Sequence, residues 1–557
     1  MLRNQLIKIW AVPPSWLRFL ILTLLVLGLF FRLGNLDRKV YWFDETYTSL
    51  RTSGFTEFEV IQNLSNTGII DRETLQKYQH PNPEKNVVDT IRSLALEDPQ
   101  HPPFYYLLAR FWMQVFGNSP AAMRSLPALI SLLAFPGIYW LCLELFASPL
   151  VGLIAVALLA VSPLHILYAQ EARQYSLWTV TVLLSSIALL RAIRLKTKVS
   201  WLIYALTLTA SLYTFLLSFF VAIGHGIYVL VSEKFKFSKT LTSYFLASLI
   251  GFIAFIPWIA VILLNRVQAQ SVTAWTGAIK KPLWEMLKIW GINLSRVFVD
   301  FNYSSQDALF SQFFLAFAVI ILVALLGYSL YFLCSTAPQR SWLFILTFMG
   351  TIILPFLIPD LVLGGVRSTT PRYFIPCYLG IQLAISYLLA NKIIAINHKA
   401  GQQKLWQFVM AIIISFGVLS CAMSSQAETW WHQTLNRDTP AVAEIINKAD
   451  RPLLISSNNP ANILSLSYRL NPKIRFLYKP ECYTSCNALK SKNQNTEIED
   501  QLNIPEIPQG FTDVFLLETS PSEAWIRKLT ENKTYKVKPQ LNPRSDEFVS
   551  WLWQIEK

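Results

Sequence analysis

Apolar runs of about twenty residues recur along the chain, separated by short polar or basic segments, and that rhythm predicts helices that cross a membrane. Read by length and apolarity, about eleven spans fall near 16–34, 124–146, 149–168, 174–190, 201–216, 217–231, 241–264, 309–334, 342–360, 373–391 and 405–423. The stretch 201–231 is continuous and reads as two short spans folded back near Ser218. "PFYYLLARFWMQVFG" (Pro103 to Gly117) is about 14 residues long with Arg110 in its middle, short for a span and suited to an interfacial or re-entrant helix. Beyond the last span some 130 polar residues alternate short apolar runs ("PLLISS", "KIRFLY", "DVFLLET") with helix-like stretches, the pattern of a small α/β domain. The expected architecture is a polytopic α-helical membrane protein, residues 1–423, with a soluble α/β domain at 424–557 and a long first loop at 35–123.

Composition agrees. Of 557 residues 53% are hydrophobic and only 15% charged, too apolar for a soluble chain of this size. The net charge of +14 points to anionic lipid head groups and basic cytoplasmic loops rather than to nucleic acid. Basic residues also set an orientation. Arg3, Lys8 and Arg18 lie at the first span, Arg191 to Lys198 follow the fourth, Lys234 to Lys239 the sixth, and Lys392 to Lys404 the tenth. With the N-terminus cytoplasmic, all four clusters fall on one side. Counting Pro103–Gly117 as a span would reverse the later ones. No cleavable signal peptide is evident, so 16–33 reads as a retained anchor. Six cysteines are sparse, and only Cys482 and Cys486 lie close together outside the apolar runs.

The exoplasmic side then holds every polar motif that could carry chemistry. "VYWFDETYTSL" places Asp44 and Glu45 among aromatics just past the first span, where carboxylates can be merely solvated. "HPPFYYL" sets His101 before a Pro-Pro turn, a position that suits a structural hydrogen bond. "QEARQYS" supplies Glu171, Arg173 and Tyr175, which could be an exposed ion pair or a second carboxylate with a phosphate-binding cation. "TPRYFIP" supplies Arg372 and Tyr373, with Arg367 five residues earlier. Such an Arg can snorkel to head groups, yet a guanidinium also matches phosphate geometry. Acids and cations together suit a reaction on a lipid-linked phosphate: a carboxylate takes a proton from the attacking group, and cations neutralise the departing phosphate. No glycine-rich phosphate loop and no internal repeat is apparent.

In their order, "FDETY", "HPPFYYLLARFW", "EARQYS" and "RYFIP" resemble the membrane glycosyltransferases of the GT-C fold, over about residues 16–390. The group they look most like is the protein-mannosyltransferase and aminoarabinose-transferase superfamily, in its bacterial family-39 lineage. The resemblance implies a polyprenyl-phosphate sugar donor, transfer on the exoplasmic face of the plasma (inner) membrane with inversion, and a lipid, glycan or protein acceptor. It maps the base onto Asp44, with Glu45 shaping the site, and a second acidic residue onto Glu171. Arg173 and Arg372 become candidates for the donor phosphate. Tyr41, Trp42, Tyr47, His101, Tyr105, Tyr175 and Tyr373 would line the cavity, although interfacial aromatics also serve as membrane anchors. Some relatives use a divalent metal at the acidic pair, but this chain shows no dedicated ligand cluster. The rival reading is a transporter or flippase of lipid-linked saccharide. Against it stand the carboxylate pair in the long first loop and spans nearly free of acids, with Glu144 near a helix end.

Overall fold

The computed structural model describes residues 14–65, 67–303, 309–393, 400–480, 507–519, 523–531, 535–541 and 550–556. Cys482 and Cys486 lie outside them. Among the described residues eight helices are long and apolar enough to cross a membrane. A ninth crossing results if the bent pair α4 (Pro149–Ala160) and α5 (Pro163–Ala169), which meet at 64°, counts as one span. The protein is multi-pass, but it falls short of the eleven spans expected. The difference lies in Lys198–Thr214 and Ser218–Ser232, 17 and 15 residues long. At about 1.5 Å per residue they reach roughly 25 and 22 Å, less than the ~30 Å hydrocarbon core. They fold back on each other at Phe215–Leu217, so they leave the parity of the later helices unchanged.

Helix α3 (Phe104–Phe116) is amphipathic, as its short length suggested. Tyr105, Tyr106, Ala109, Arg110 and Met113 face inward, while Phe111, Val115 and Phe116 are exposed. The buried Arg110 donates to the Thr52 carbonyl and to Thr90 Oγ1.

The break between α4 and α5 has a local cause. Pro163 lacks an N–H and disfavours helix at the residue before it, so the chain leaves α4 at Val161 and restarts at Pro163. The carbonyls stranded at the end of α4 are taken by a side chain of the first span, α1 (Ser15–Leu33). Arg32 donates to Leu159 O (3.0 Å), Ala160 O (2.8 Å) and Gly28 O (3.0 Å). Its charge also suits a helix C-terminus. In return Gln170, just after α5, donates its amide to Phe31 O and Gly34 O at the end of α1, both at 2.8 Å. Each helix thus closes the other's open end. The approach is tight: a Cβ on Gly28 would sit 2.7 Å from the Ala160 carbonyl.

The C-terminal domain is built on a six-stranded sheet in the order β1-β3-β2-β4-β6-β5. The strands are β1 (Ile70–Asp71), β2 (Pro452–Ser456), β3 (Arg475–Tyr478), β4 (Asp513–Thr519), β5 (Lys536–Leu541) and β6 (Ser550–Glu556). The central β3-β2-β4 trio is parallel, with helix Pro460–Ser467 crossing between β2 and β3. Strand β1 comes from the first loop and pairs antiparallel with β3. Side chains alternate along β2: Leu454 faces one core, Leu453 and Ile455 the other. The Leu454 core is shared with the first loop, whose Leu50, Phe55, Val60, Leu64 and Tyr78 pack against Ile446, Ile463, Phe476 and Phe515.

Replacing Arg32 by Met removes three side-chain hydrogen bonds at the α1–α4 junction. The expected cost is about 2–3 kcal/mol, read as a lowered midpoint in thermal unfolding of the detergent-solubilised protein.

Candidate active site

The "VYWFDET" strip is held from two sides. From the soluble domain, Gln433 Nε2 donates to Val40 O (3.0 Å), the Glu428 carbonyl accepts from Val40 N (2.8 Å), and Asn436 Oδ1 accepts from Phe43 N (2.8 Å). Ser465 Oγ donates to the Tyr41 carbonyl. From the membrane side Arg124, in helix Pro120–Leu132, donates to the carbonyls of Leu36, Lys39 and Val40 at 2.7–2.9 Å. These contacts start helix α2 (Phe43–Ser53), whose first turn carries Asp44 and Glu45.

The two acids differ sharply. Glu45 is fully buried and receives Arg124 in a bidentate pair, Nε to Oε1 at 2.7 Å and Nη2 to Oε2 at 2.6 Å. It also accepts from Ala172 N (2.9 Å) and Trp42 N (3.2 Å). Asp44 is partly exposed, and its Oδ2 lies 2.5 Å from Arg372 Nη1, a partner 328 positions away. Burial opposes the Asp44 charge, but Arg372 and then Arg173 outweigh it and hold the carboxyl below its ordinary range.

Arg173 is built in from several directions. Its Nη1 donates to Tyr106 OH (3.1 Å), Thr48 Oγ1 (3.2 Å) and Asp44 O (3.3 Å), and its Nη2 meets His101 Nε2 at 3.1 Å. The other nitrogen of His101 meets Gln174 Nε2 at 3.1 Å. Burial first, then the Arg173 charge, pushes His101 down to about 3, so the ring is neutral. Arg372 makes one side-chain hydrogen bond among the described residues, the one to Asp44, and lies over the Tyr373 ring at 6.0 Å. Glu171 is buried, and neither of its oxygens has a hydrogen-bond partner among the described residues. Burial, reinforced by Glu45 and Asp44, raises it to about 8 against the pull of Arg372 and Arg173.

The structure therefore brings Asp44, Glu171, Arg173, Arg372 and His101 into one cluster. The aromatics divide. Tyr105 and Tyr175 are buried beside it, and Tyr175 packs edge-on against Tyr168. Tyr373 stacks on Phe356. Tyr41 is turned inward, its OH 2.6 Å from Ser49 Oγ, and Trp42 sets its ring against His432. Tyr47 reaches the soluble domain through Asn459 (3.3 Å). Arg367 is committed elsewhere, to Asp360 at 2.9 Å near the end of Gln339–Leu363, an acid that does belong to a span. Sequence reasoning missed Arg124, Lys39, Tyr106 and His432. Arg124 alone carried a signal, a cation at the start of an apolar run.

A divalent metal at the acidic pair finds no vacant ligand in Glu45, whose oxygens already accept four hydrogen bonds. Among the described residues no group of three or more His, Cys, Asp or Glu side chains is placed to hold one.

Replacing Arg124 by Met, or Glu45 by Gln, strands a buried charge or its partner carbonyls, at an expected cost of about 3–5 kcal/mol each. The double variant should lose less than the sum of the two, which a double-mutant cycle of unfolding midpoints measures.

Comparisons with known proteins bear on the family and the fold. Residues 100–260 match the family model described as dolichyl-phosphate-mannose-protein mannosyltransferase. The crystal structure of ArnT from Cupriavidus metallidurans bound to undecaprenyl phosphate superposes with a TM-score of 0.52 at 10% identity, covering 98% of each chain. Its apo form gives 0.49 at 12% identity, over 97% of this chain and 98% of that one. The archaeal oligosaccharyltransferase AglB from Archaeoglobus fulgidus, in complex with an inhibitory peptide and a dolichol-phosphate, gives 0.44 at 12% identity, over 85% of this chain and 65% of that one. No curated protein matches the sequence.

Proposed function

We propose that this chain, whose fold is that of the GT-C membrane glycosyltransferases, moves a sugar from a polyprenyl-phosphate-linked donor to an acceptor at the exoplasmic face. One observation carries the reading: Asp44, Glu171, Arg173 and Arg372, from three motifs far apart in sequence, meet at one partly open site. The match to a lipid-phosphate mannosyltransferase family over 100–260, a stretch that contains Glu171 and Arg173, supports it.

The chemistry follows from the pairing. Arg372 holds Asp44 while most of its own N–H groups make no hydrogen bond within the described protein, so an arriving phosphate can take the guanidinium. Losing that cation, Asp44 rises toward its ordinary carboxylate range and becomes a better proton acceptor. It removes the proton of the acceptor hydroxyl or amine, whose lone pair forms the new bond to the anomeric carbon. The bond from that carbon to the phosphate oxygen breaks, and its electron pair leaves on the polyprenyl phosphate, held by Arg372 and Arg173. Attack opposite the leaving group inverts the centre, as in an inverting glycosidase with the acceptor in place of water. Glu45, locked by Arg124, positions Asp44. The polyprenyl tail lies in the bilayer, and the sugar and acceptor are left to the cavity lining and the soluble domain.

Purified protein supplied with labelled polyprenyl-phosphate sugar and a panel of lipid, glycan and peptide acceptors tests the reading. Asp44→Asn should lower kcat by about 10²–10⁴-fold with normal expression. Arg372→Met should chiefly raise the KM for donor. Transfer by Asp44→Asn at the wild-type rate sinks the base assignment. Movement of lipid-linked sugar across vesicles with no transfer favours a flippase.

A further inference from the structure

Between Glu45 and Glu171 lies a small polar pocket that the transfer steps do not use. It is lined by Lys39, Glu45, Arg124, Gln170, Glu171 and His432, and its volume of about 10 Å³ is room for roughly one water. Buried polar atoms almost always have partners, yet here both Glu171 oxygens and His432 Nδ1 have none among the described residues. Lys39 is buried as well, and its Nζ makes a single long hydrogen bond, to Gln170 Oε1 at 3.3 Å. That oxygen is held in place because the amide nitrogen of Gln170 is spent on Phe31 O and Gly34 O. Glu45 and Arg124 satisfy each other and contribute walls. An acid, an amine and an imidazole nitrogen around a water-sized space meet the need of a buried water for two to four polar partners.

We propose that this pocket holds one water bridging the Glu171 carboxyl, the Lys39 amine and His432 Nδ1, and that Glu171 and Lys39 share a single proton through it. In one state the carboxylic acid faces a neutral amine. In the other the acid O–H has broken, the proton has passed through the water to the amine lone pair, and a carboxylate faces an ammonium. Both states have the same net charge; burial favours the neutral pair, and the attraction between the two new charges offsets part of that cost. The shifts of the two groups have the sense this needs. Burial raises Glu171 to about 8, while burial and then the neighbouring Arg124 lower Lys39 to about 7. His432, lowered by burial and by Lys39 and Arg124, is neutral and can accept from the water.

The other groups that face Glu171 are Asp44 and Glu45, which disfavour its charge, Arg372, Arg173 and Arg124, which favour it, and the Tyr105, Tyr168 and Tyr175 phenols; those that face Lys39 are Arg124, which disfavours its charge, and Glu45, Cys421 and Asp300, which favour it. Lys39 is therefore a positioning residue: it decides whether Glu171 presents a charge to the reacting centre. In transfer, an ionised Glu171 would offset the positive charge that grows on the sugar ring. Only this consequence rests on the glycosyltransferase reading.

The test is an infrared titration of the carboxylic C=O stretch in purified wild-type protein, with Glu171→Gln as the reference that removes the band. A Glu171 band should be present at neutral pH and lost on the alkaline side. A Glu171 that is ionised throughout about pH 5–9 in the wild type overturns the proposal without any Lys39 variant. Lys39→Met should strengthen the band at neutral pH and move its midpoint upward, because the state in which a carboxylate faces an ammonium is no longer available. Lys39→Arg should remove the band at neutral pH, because a permanent cation forces the carboxylate. Lys39→Arg brings its cation in either case and so serves as the positive control; a lysine that shares no proton predicts an unchanged band in Lys39→Met, and that result overturns the proposal whatever the transfer rate. Shifted midpoints in a protein that transfers no sugar uphold the shared proton and count against the functional reading instead.

Discussion

Arg124 gathers three loop carbonyls and both oxygens of Glu45 around one guanidinium, and Glu45 in turn takes the backbone N–H of Ala172. Three parts of the chain meet in that contact: the end of the first loop's opening strip, the start of helix Pro120–Leu132, and the turn after α5. A buried ion pair gains little over an apolar contact because both charges lose their water. Its worth here lies in direction. A bidentate guanidinium–carboxylate pair has one good geometry, so the first turn of α2 and the Glu171–Arg173 turn are set relative to each other. Asp44, one residue from Glu45, inherits its place from this pair.

The junction of α1 with the α4–α5 bend does the same work one layer deeper. Arg32 and Gln170 each satisfy the open carbonyls of the other's helix. In a medium without water those carbonyls have few alternatives, so the bend at Pro163 becomes a rigid elbow. Glu171 lies just beyond α5, whose start that elbow fixes, and it is buried with neither oxygen partnered among the described residues. The C-terminal domain completes the frame. It adds a sheet edge to β1, shares a core with the first loop, and grips the "VYWFDET" backbone through Gln433, Asn436 and Ser465.

The cations of the site fall into two kinds. Arg124 is saturated by protein groups and acts as scaffolding, and Arg173 is held by Asp44, Thr48, Tyr106 and His101 while its Nε has no partner among the described residues. Arg372 has a single carboxylate partner and the freedom to exchange it. That contrast makes the Asp44–Arg372 pair the part of the site that an incoming anion can rearrange.

Much of this was legible along the chain. Apolar runs of spanning length, the amphipathic shortness of Phe104–Phe116 and the alternating pattern after residue 424 each reflect a local rule, so they needed no partner to be read. Asp44, Glu171, Arg173 and Arg372 stood out because charge at the end of an apolar helix is conspicuous. Two things were not local. Span length is set by where a helix stops, and the 201–231 hairpin has two helices too short to reach across alone. Side-chain commitment is set by what lies opposite: adjacent acids look alike in sequence, yet Glu45 is sealed by Arg124 while Asp44 opens toward Arg372. Lys39 and His432 lie 393 positions apart and carry no shared motif, so only the folded chain could place them around one water-sized pocket with Glu171. Composition and periodicity determined what kind of protein this is. Which carboxylate is locked, which faces Arg372 and which is left without a hydrogen-bond partner among the described residues was decided by packing, because each depends on groups from distant parts of the chain.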